Sequence, residues 1–321
     1  MEWAPLKRAY FGVALLLLAA CGGGGQSTVL TLPPLAVPPT IGSTVAATTT
    51  PTTTVTFPST TTAPPTIPAT VPSAVDTAID PAKPPAIDAA AYVVYDVGSQ
   101  QWLAEEDADG ARPVGSLMKL LTAYVVMQTG DLTHIATVPP MQLDPAESAI
   151  GLYEGQQLPR DVLLRAELIV SANDAAHTLA VDVGGSEDAF VAMMNEAAQS
   201  LGMTHTVAVN SVGLDAEGAH SSARDMVTIA NILMRDATFR ATVARTDARM
   251  NGHRFNATNK LLTSYEGATG VKTGHTTAAG YCLVASATRD GRDVMVAVLG
   301  APTDKARIDG ASTLLDWAFT H

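Results

Sequence analysis

Three short groups of residues in this 321-residue chain have types and spacings that could do chemistry together. Ser116 and Lys119 lie three positions apart at the start of an apolar stretch with helical spacing, which would put both side chains on one helical face. A serine hydroxyl is a poor nucleophile until something takes its proton, and a neutral lysine amine can do so. Burial lowers a lysine pKa by penalising the charged form, a nearby second cation lowers it further, and a helix N-terminus favours developing negative charge. Ser171-Ala172-Asn173 offers a hydroxyl and an amide two residues apart on a loop, suited to relaying a proton and holding a peptide amide. Lys272-Thr273-Gly274-His275 adds positive charge for a carboxylate, on a segment that could pair with an extended substrate in the manner of an added strand. In that segment Gly274 would let the substrate approach closely.

Each group alone has an ordinary structural use: a helix cap followed by a solvated lysine, a turn whose Asn173-Asp174 caps the next helix, a loop-to-strand junction. What separates the readings is the set of elements that would carry them. Ala91 to Val97 reads as a strand, turning through Gly98-Ser99 into a second strand around Trp102 to Ala104. The spacing predicts a helix over Ser116–Gln128 with Gly130 as its C-terminal stop, and another from Pro159 to about Val170. Ser186 can cap a helix over Glu187–Leu201 closed by Gly202, and Ser222 with Asp225 resembles a capping box for a helix through Met234. Tyr281–Ala287 and Val294–Leu299 are apolar strands joined across Asp290-Gly291, a strong hairpin signal, and Thr303–Phe319 is a closing helix. Strands early and late around a helical middle predict an α+β fold: a mostly antiparallel sheet flanked by helices, with a helical subdomain, over residues 86–321.

The first 85 residues read differently. Lys7 and Arg8 precede an apolar run, Phe11–Ala20, too short to span a bilayer as a helix, which ends at Cys21 and four glycines. Small residues before a cysteine in that place resemble a bacterial lipoprotein signal over residues 1–20, with Cys21 carrying the lipid; an ordinary secretory signal is the alternative, and either implies export. Residues 21–85, rich in Thr and Pro from Gln26 onward, show almost no charge and no periodicity and are expected to be a disordered, stiffened tether. The net charge of −12 argues against nucleic acid as a partner. No histidine pair has metal-ligand spacing and no cofactor is implied. Cys282, on a predicted strand, reads as a buried small apolar residue.

Ser-x-x-Lys, Ser-x-Asn and Lys-Thr-Gly in this order resemble the signature of penicillin-binding proteins and serine β-lactamases. The chain looks like a D-alanyl-D-alanine carboxypeptidase of the low-molecular-mass penicillin-binding class, from about Ala91 to Phe319. Leu168–Ala176 is similar to that family's second-motif region, as are Val209–Leu214 and His220–Asp225. Asn259–Leu262, Gly270–Thr276, Ala279–Tyr281 and Leu283–Ala287 resemble its third-motif region. The resemblance implies Ser116 as the acylated nucleophile, Lys119 as its general base, Ser171 and Asn173 as proton shuttle and substrate guide, and Lys272, Thr273 and Gly274 as substrate-binding residues. It implies an oxyanion hole of the Ser116 and His275 backbone N–H groups, with no role for the His275 side chain. It also places Arg307 near the substrate's terminal carboxylate, a surface arginine being the alternative. Peptidoglycan stem peptides are then the substrate, β-lactams the inhibitors, and the membrane a partner only through the lipid on Cys21.

Many members of that class continue into a β-rich second domain and an amphipathic helix, whereas this sequence stops at His321, so attachment is expected to rest on the N-terminus. The competing readings are a D,D-endopeptidase, a class A-like β-lactamase and an inactive penicillin-binding sensor domain. Class A enzymes carry Asp where this chain has Ala172, and a deacylating glutamate in a downstream Glu-x-x-Leu-Asn loop. That loop is absent between Asn173 and Lys272, so slow turnover of penicillin is expected.

Overall fold

The structure, a computed structural model, describes residues 83–250 and 252–321. The signal over residues 1–20, the lipid site at Cys21 and nearly all of the tether lie outside the described residues. In chain order the elements are β1 (Ala91–Asp96), β2 (Gln101–Glu106), α1 (Lys119–Gln128), β3 (Ile135–Thr137), β4 (Gln157–Pro159), α2 (Arg160–Arg165), α3 (Asn173–Gly184) and α4 (Glu187–Ser200). There follow α5 (Ala223–Leu233), α6 (Ala237–Val243), β5 (Asp247–Met250), β6 (His253–Asn256), α7 (Leu261–Ser264), β7 (Ala268–Thr276), β8 (Gly280–Arg289), β9 (Arg292–Ala301) and α8 (Asp304–Thr320).

Five strands form one antiparallel sheet in the order β2-β1-β9-β8-β7, so β7 lies at an edge. The central strands are apolar at consecutive positions because both faces of the sheet are covered. In β1, Ala91, Val93 and Tyr95 face the core shared with α1, α3, α4 and α5. Tyr92 and Val94 face the other side, onto Ala311, Leu314, Leu315 and Ala318 of α8. The result is the expected α+β arrangement, with one helix on one face and the helical middle on the other. The turn between β8 and β9 has Asp290 at φ 52 and Gly291 at φ 78, the two left-handed positions a tight hairpin of matching twist requires. Ser186, Ser222 and Thr303 cap their helices by accepting from backbone N–H groups three residues on. Cys282 is fully buried, and burial pushes its thiol up to about 11, so it acts as packing. Among the described residues no helix is long and apolar enough to cross a membrane.

Two predicted helices differ in ways that matter for chemistry. Gly115–Met118 is a 3₁₀ turn ahead of α1, so Ser116 precedes the α-helix proper. The helix expected from Pro159 to Val170 runs from Arg160 and changes register: Pro159 remains in the β3–β4 pair, α2 ends at Arg165, and Ala166–Val170 continues it as a single π turn. That turn closes on Ser171 at φ 65, a left-handed residue that redirects the chain into α3. The short β3–β4 and β5–β6 pairs were not visible in the periodicity, because three or four residues are too few to establish one.

Asp174, almost fully buried near the start of α3, ties this region together. Its carboxylate accepts from Ile150 N at 3.0 Å and Leu152 N at 3.0 Å, fastening the 144–152 segment over the end of the helix. Replacing Asp174 by Ala leaves buried donors without acceptors, a loss of about 3 kcal/mol. We expect the urea midpoint to fall accordingly with an unchanged slope; a loss below about 0.5 kcal/mol, the range of an ordinary surface change, would contradict this role for Asp174.

Candidate active site

The 3₁₀ turn, the π turn and the edge strand meet at one cleft of about 670 Å³, lined among others by Ser116, Ser171, Asn173, Thr273, Gly274 and Arg307. Lys119, the first residue of α1, is completely buried beneath it. Its amine donates to Ser116 Oγ at 2.9 Å, to Asn173 Oδ1 at 2.7 Å and to Val212 O at 2.9 Å. An ammonium has three donors, and here all three have acceptors. The Val212 carbonyl is aimed by its own loop: Thr122 Oγ1 donates to Ser211 O at 2.6 Å, and Glu187 Oε1 accepts from Ser211 N at 2.8 Å.

A second buried lysine faces the first. Lys272, on β7, is 1% exposed and donates to Ser171 Oγ at 2.8 Å and Thr273 O at 2.9 Å. Thr273 Oγ1 bonds Thr258 Oγ1 at 2.7 Å, which steadies it at the cleft wall. Arg307 is buried rather than on the surface: its Nη1 donates to Gly274 O at 2.9 Å and Cys282 O at 3.1 Å, bracing the edge strand from behind. The His275 ring lies on Tyr281, with centroids 4.1 Å apart.

Gly274 has a packing reason of its own. A Cβ there would lie 2.3 Å from Val114 O, so the close approach is made by the protein's own 3₁₀ turn. The contact is reciprocal, since a Cβ on Gly115 (φ 57) would lie 2.8 Å from His275 N. Those two glycines bring the backbone beside Ser116 against the backbone at His275, the arrangement two convergent N–H donors need.

Two carboxylates escaped the sequence reading. Glu167, on the π turn, is fully buried and neither of its oxygens makes a hydrogen bond. A charged residue within the apolar run from Leu163 to Val170 was the available signal. Glu147, on the 144–148 turn, lines the cleft and accepts from Asn173 Nδ2 at 2.5 Å; nothing in its surroundings in the chain marked it.

The electrostatics follow from burial. Desolvation lowers Lys119 from 10.5 to about 8, against the upward pull of Glu167 and Glu147. Desolvation, then the charge of Lys119, holds Lys272 well below its ordinary value. Burial raises Glu167 to about 8 while both lysines pull it down. These groups share protons and titrate as a set. The outcome that matters is an amine able to shed its proton near neutrality beside a serine hydroxyl, which is the requirement for nucleophilic acyl transfer.

Since the neutral amine is the base and its pKa is depressed, acylation of Ser116 by a β-lactam should rise with pH through about 8 and then level. Lys119→Arg, whose guanidinium stays protonated, should acylate about 10²–10⁴-fold more slowly. Stopped-flow labelling across the pH range checks both; a flat profile for the native chain would contradict the assignment of the base.

A model of the D-alanyl-D-alanine carboxypeptidase family matches residues 78–303. The chain is 37% identical over 246 residues to D-alanyl-D-alanine carboxypeptidase DacA of Escherichia coli (strain K12), covering 73% of this chain and 61% of that protein. It thus spans about three fifths of the length of that relative, 61% of it. Among solved structures it is similar to D-alanyl-D-alanine carboxypeptidase from Mycobacterium tuberculosis H37Rv, at 33% identity and a TM-score of 0.70, over 75% of this chain and 95% of that one. It is also similar to penicillin-binding protein D2 from Listeria monocytogenes in its cefotaxime-bound form, at 31% identity and a TM-score of 0.67, over 73% of this chain and 98% of that one. With that match running from ahead of β1 to the last turn before α8, the chain belongs to the D-alanyl-D-alanine carboxypeptidase family.

Proposed function

We propose that this chain is a serine D,D-carboxypeptidase that removes the terminal D-alanine from peptidoglycan stem peptides through an acyl-enzyme on Ser116. The observation that carries the reading is the hydrogen-bonded chain Ser116–Lys119–Asn173, buried at its base and open to a cleft beside a free sheet edge. In this reading a stem peptide lies along β7 as an added strand, with its terminal carboxylate toward Thr273 and Arg307. Neutral Lys119 takes the Ser116 proton as Oγ bonds to the penultimate carbonyl carbon. The Ser116 and His275 N–H groups hold the developing oxyanion, worth about 3 kcal/mol. Collapse breaks the peptide bond, and the departing D-alanine amine takes its proton from the Lys119–Ser171 side of the site. Lys272 keeps Ser171 in place, and Arg307 supplies positive charge for the carboxylate end. Water then releases the shortened peptide.

The same nucleophile should open a β-lactam ring. A cefotaxime-bound relative of the same fold supports this. With a pentapeptide ending in D-Ala-D-Ala, we expect one D-alanine released per turnover, and loss of release in Ser116→Ala. Cleavage of a cross-linked dimer without free D-alanine would instead mean an endopeptidase, and neither product an idle fold.

Export and anchoring belong to the same proposal. The run ending at Cys21 supports a lipid-modified N-terminus, and residues 21–85 would then hold the catalytic domain off the outer face of the membrane. Blocking lipoprotein signal peptidase should raise the mature mass in cells; an unchanged mass would remove the lipid anchor from the account.

A further inference from the structure

Glu147 enters the Ser116 cleft from ahead of the second motif, on a turn held at both ends. Asp144 N donates to Glu147 Oε1 at 2.9 Å, and Glu147 N returns a bond to Asp144 O at 2.9 Å. Just beyond it, Asn173 N donates to Ser148 O at 2.7 Å, and Ile150 N is fastened to Asp174. The other carboxylate oxygen, Oε2, accepts from Asn173 Nδ2 at 2.5 Å. The far end of that amide accepts from Lys119, which reaches Ser116 Oγ. One unbroken line of polar contacts therefore runs from the nucleophile to Glu147.

The cleft holds two other carboxylates, and neither is hydrogen-bonded to Ser116, Lys119 or Asn173. Asp215 accepts from Thr276 Oγ1 at 2.5 Å and Ala278 N at 3.1 Å, while Asp144 accepts from Ala146 N at 2.8 Å. Each oxygen of Glu147 makes one hydrogen bond and can accept another, so the carboxylate has capacity for a water. Lys119 is aimed at Oγ, the atom that must leave when the ester is hydrolysed. A water attacking the acyl carbon needs a base of its own.

We infer that Glu147 is that base: with Asn173 it holds the hydrolytic water and takes its proton, so that the chain turns over β-lactam esters as well as peptidyl ones. This rests on the acyl-enzyme reading of Ser116. In the step, the water oxygen bonds to the acyl carbon and its proton passes to Glu147. The carbon–Oγ bond breaks, and Lys119, recharged from solvent after the leaving amine took its first proton, returns a proton to Oγ and is left neutral. The carboxylic acid product and Glu147 then each lose a proton to solvent, which restores the starting state. A base arriving from upstream of Asn173 replaces the slow penicillin turnover expected from the missing downstream loop with a genuine hydrolytic cycle.

The test separates the two steps. The purified full chain is mixed with benzylpenicillin, and the formation and decay of the Ser116 adduct are followed by intact mass. Glu147→Gln keeps the shape and an acceptor for Asn173 Nδ2 but removes the base. The ratio of deacylation to acylation rate constants should fall at least about tenfold in this variant, toward 10² if Glu147 supplies a full general-base contribution. Asp144→Asn, a change at the neighbouring carboxylate, should keep the native ratio. A ratio within about twofold of native in Glu147→Gln, or the same fall in Asp144→Asn, would overturn the inference and leave Glu147 as a support for Asn173. Neither an adduct nor any hydrolysis of benzylpenicillin by the native chain would overturn the Ser116 reading itself, a distinct result.

Discussion

Burying the amine of Lys119 is the constraint on which the rest of the architecture depends. Removing an ammonium from water costs several kcal/mol even after relaxation, and the cost is offset only where geometry is good and every donor is met. Here the three acceptors come from three separate stretches of chain: the 3₁₀ turn at Ser116, the start of α3 at Asn173 and the loop at Val212. Each stretch is in turn fixed by something else. Gly115 is pressed against β7, Asp174 pins the segment over α3, and Thr122 with Glu187 aims the Val212 loop. The penalty that disfavours the charged amine is also what makes it a usable base.

A second buried amine at Lys272 and an orphaned carboxylate at Glu167 extend the same principle. Two lysines and one glutamate, all nearly or fully buried, cannot hold three full charges without strain on the site. Burial pushes the lysines down and the glutamate up, so each group moves toward neutrality. Proton movement among groups already poised in this way needs little reorganisation when the charge on Ser116 changes. The π turn that carries Glu167 and ends at left-handed Ser171 is the local departure from regular helix that lets both residues reach the lysines.

Much of this was legible in the chain because it is written in local chemistry. The apolar runs of β8 and β9 with Asp290-Gly291 between them announced a hairpin, and Ser186, Ser222 and Thr303 announced helix starts. The three motifs marked the residues that meet in the cleft, since each pairs a reactive group with a fitting element. What escaped was tertiary. The Val212 carbonyl is a backbone atom with no side-chain signature, and Glu147 reaches Asn173 only because a turn folds over α3. A second purpose of Gly274 escaped for the same reason: a neighbour that needs its missing side chain is Val114, far away along the chain. The start of the 159–170 helix at Arg160 rather than Pro159 follows from Pro159 pairing with Ile135, a contact no helical periodicity can reveal.

The central claim is that Ser116, activated by buried Lys119, forms a covalent ester in the cleft. Proteolytic mapping of the chain by mass spectrometry after brief exposure to benzylpenicillin tests it most directly. The account predicts a single adduct, of one penicillin per chain, on the peptide that carries Ser116. An adduct on any other residue would contradict it, as would an unmodified Ser116 peptide in folded chain that has left the benzylpenicillin unhydrolysed.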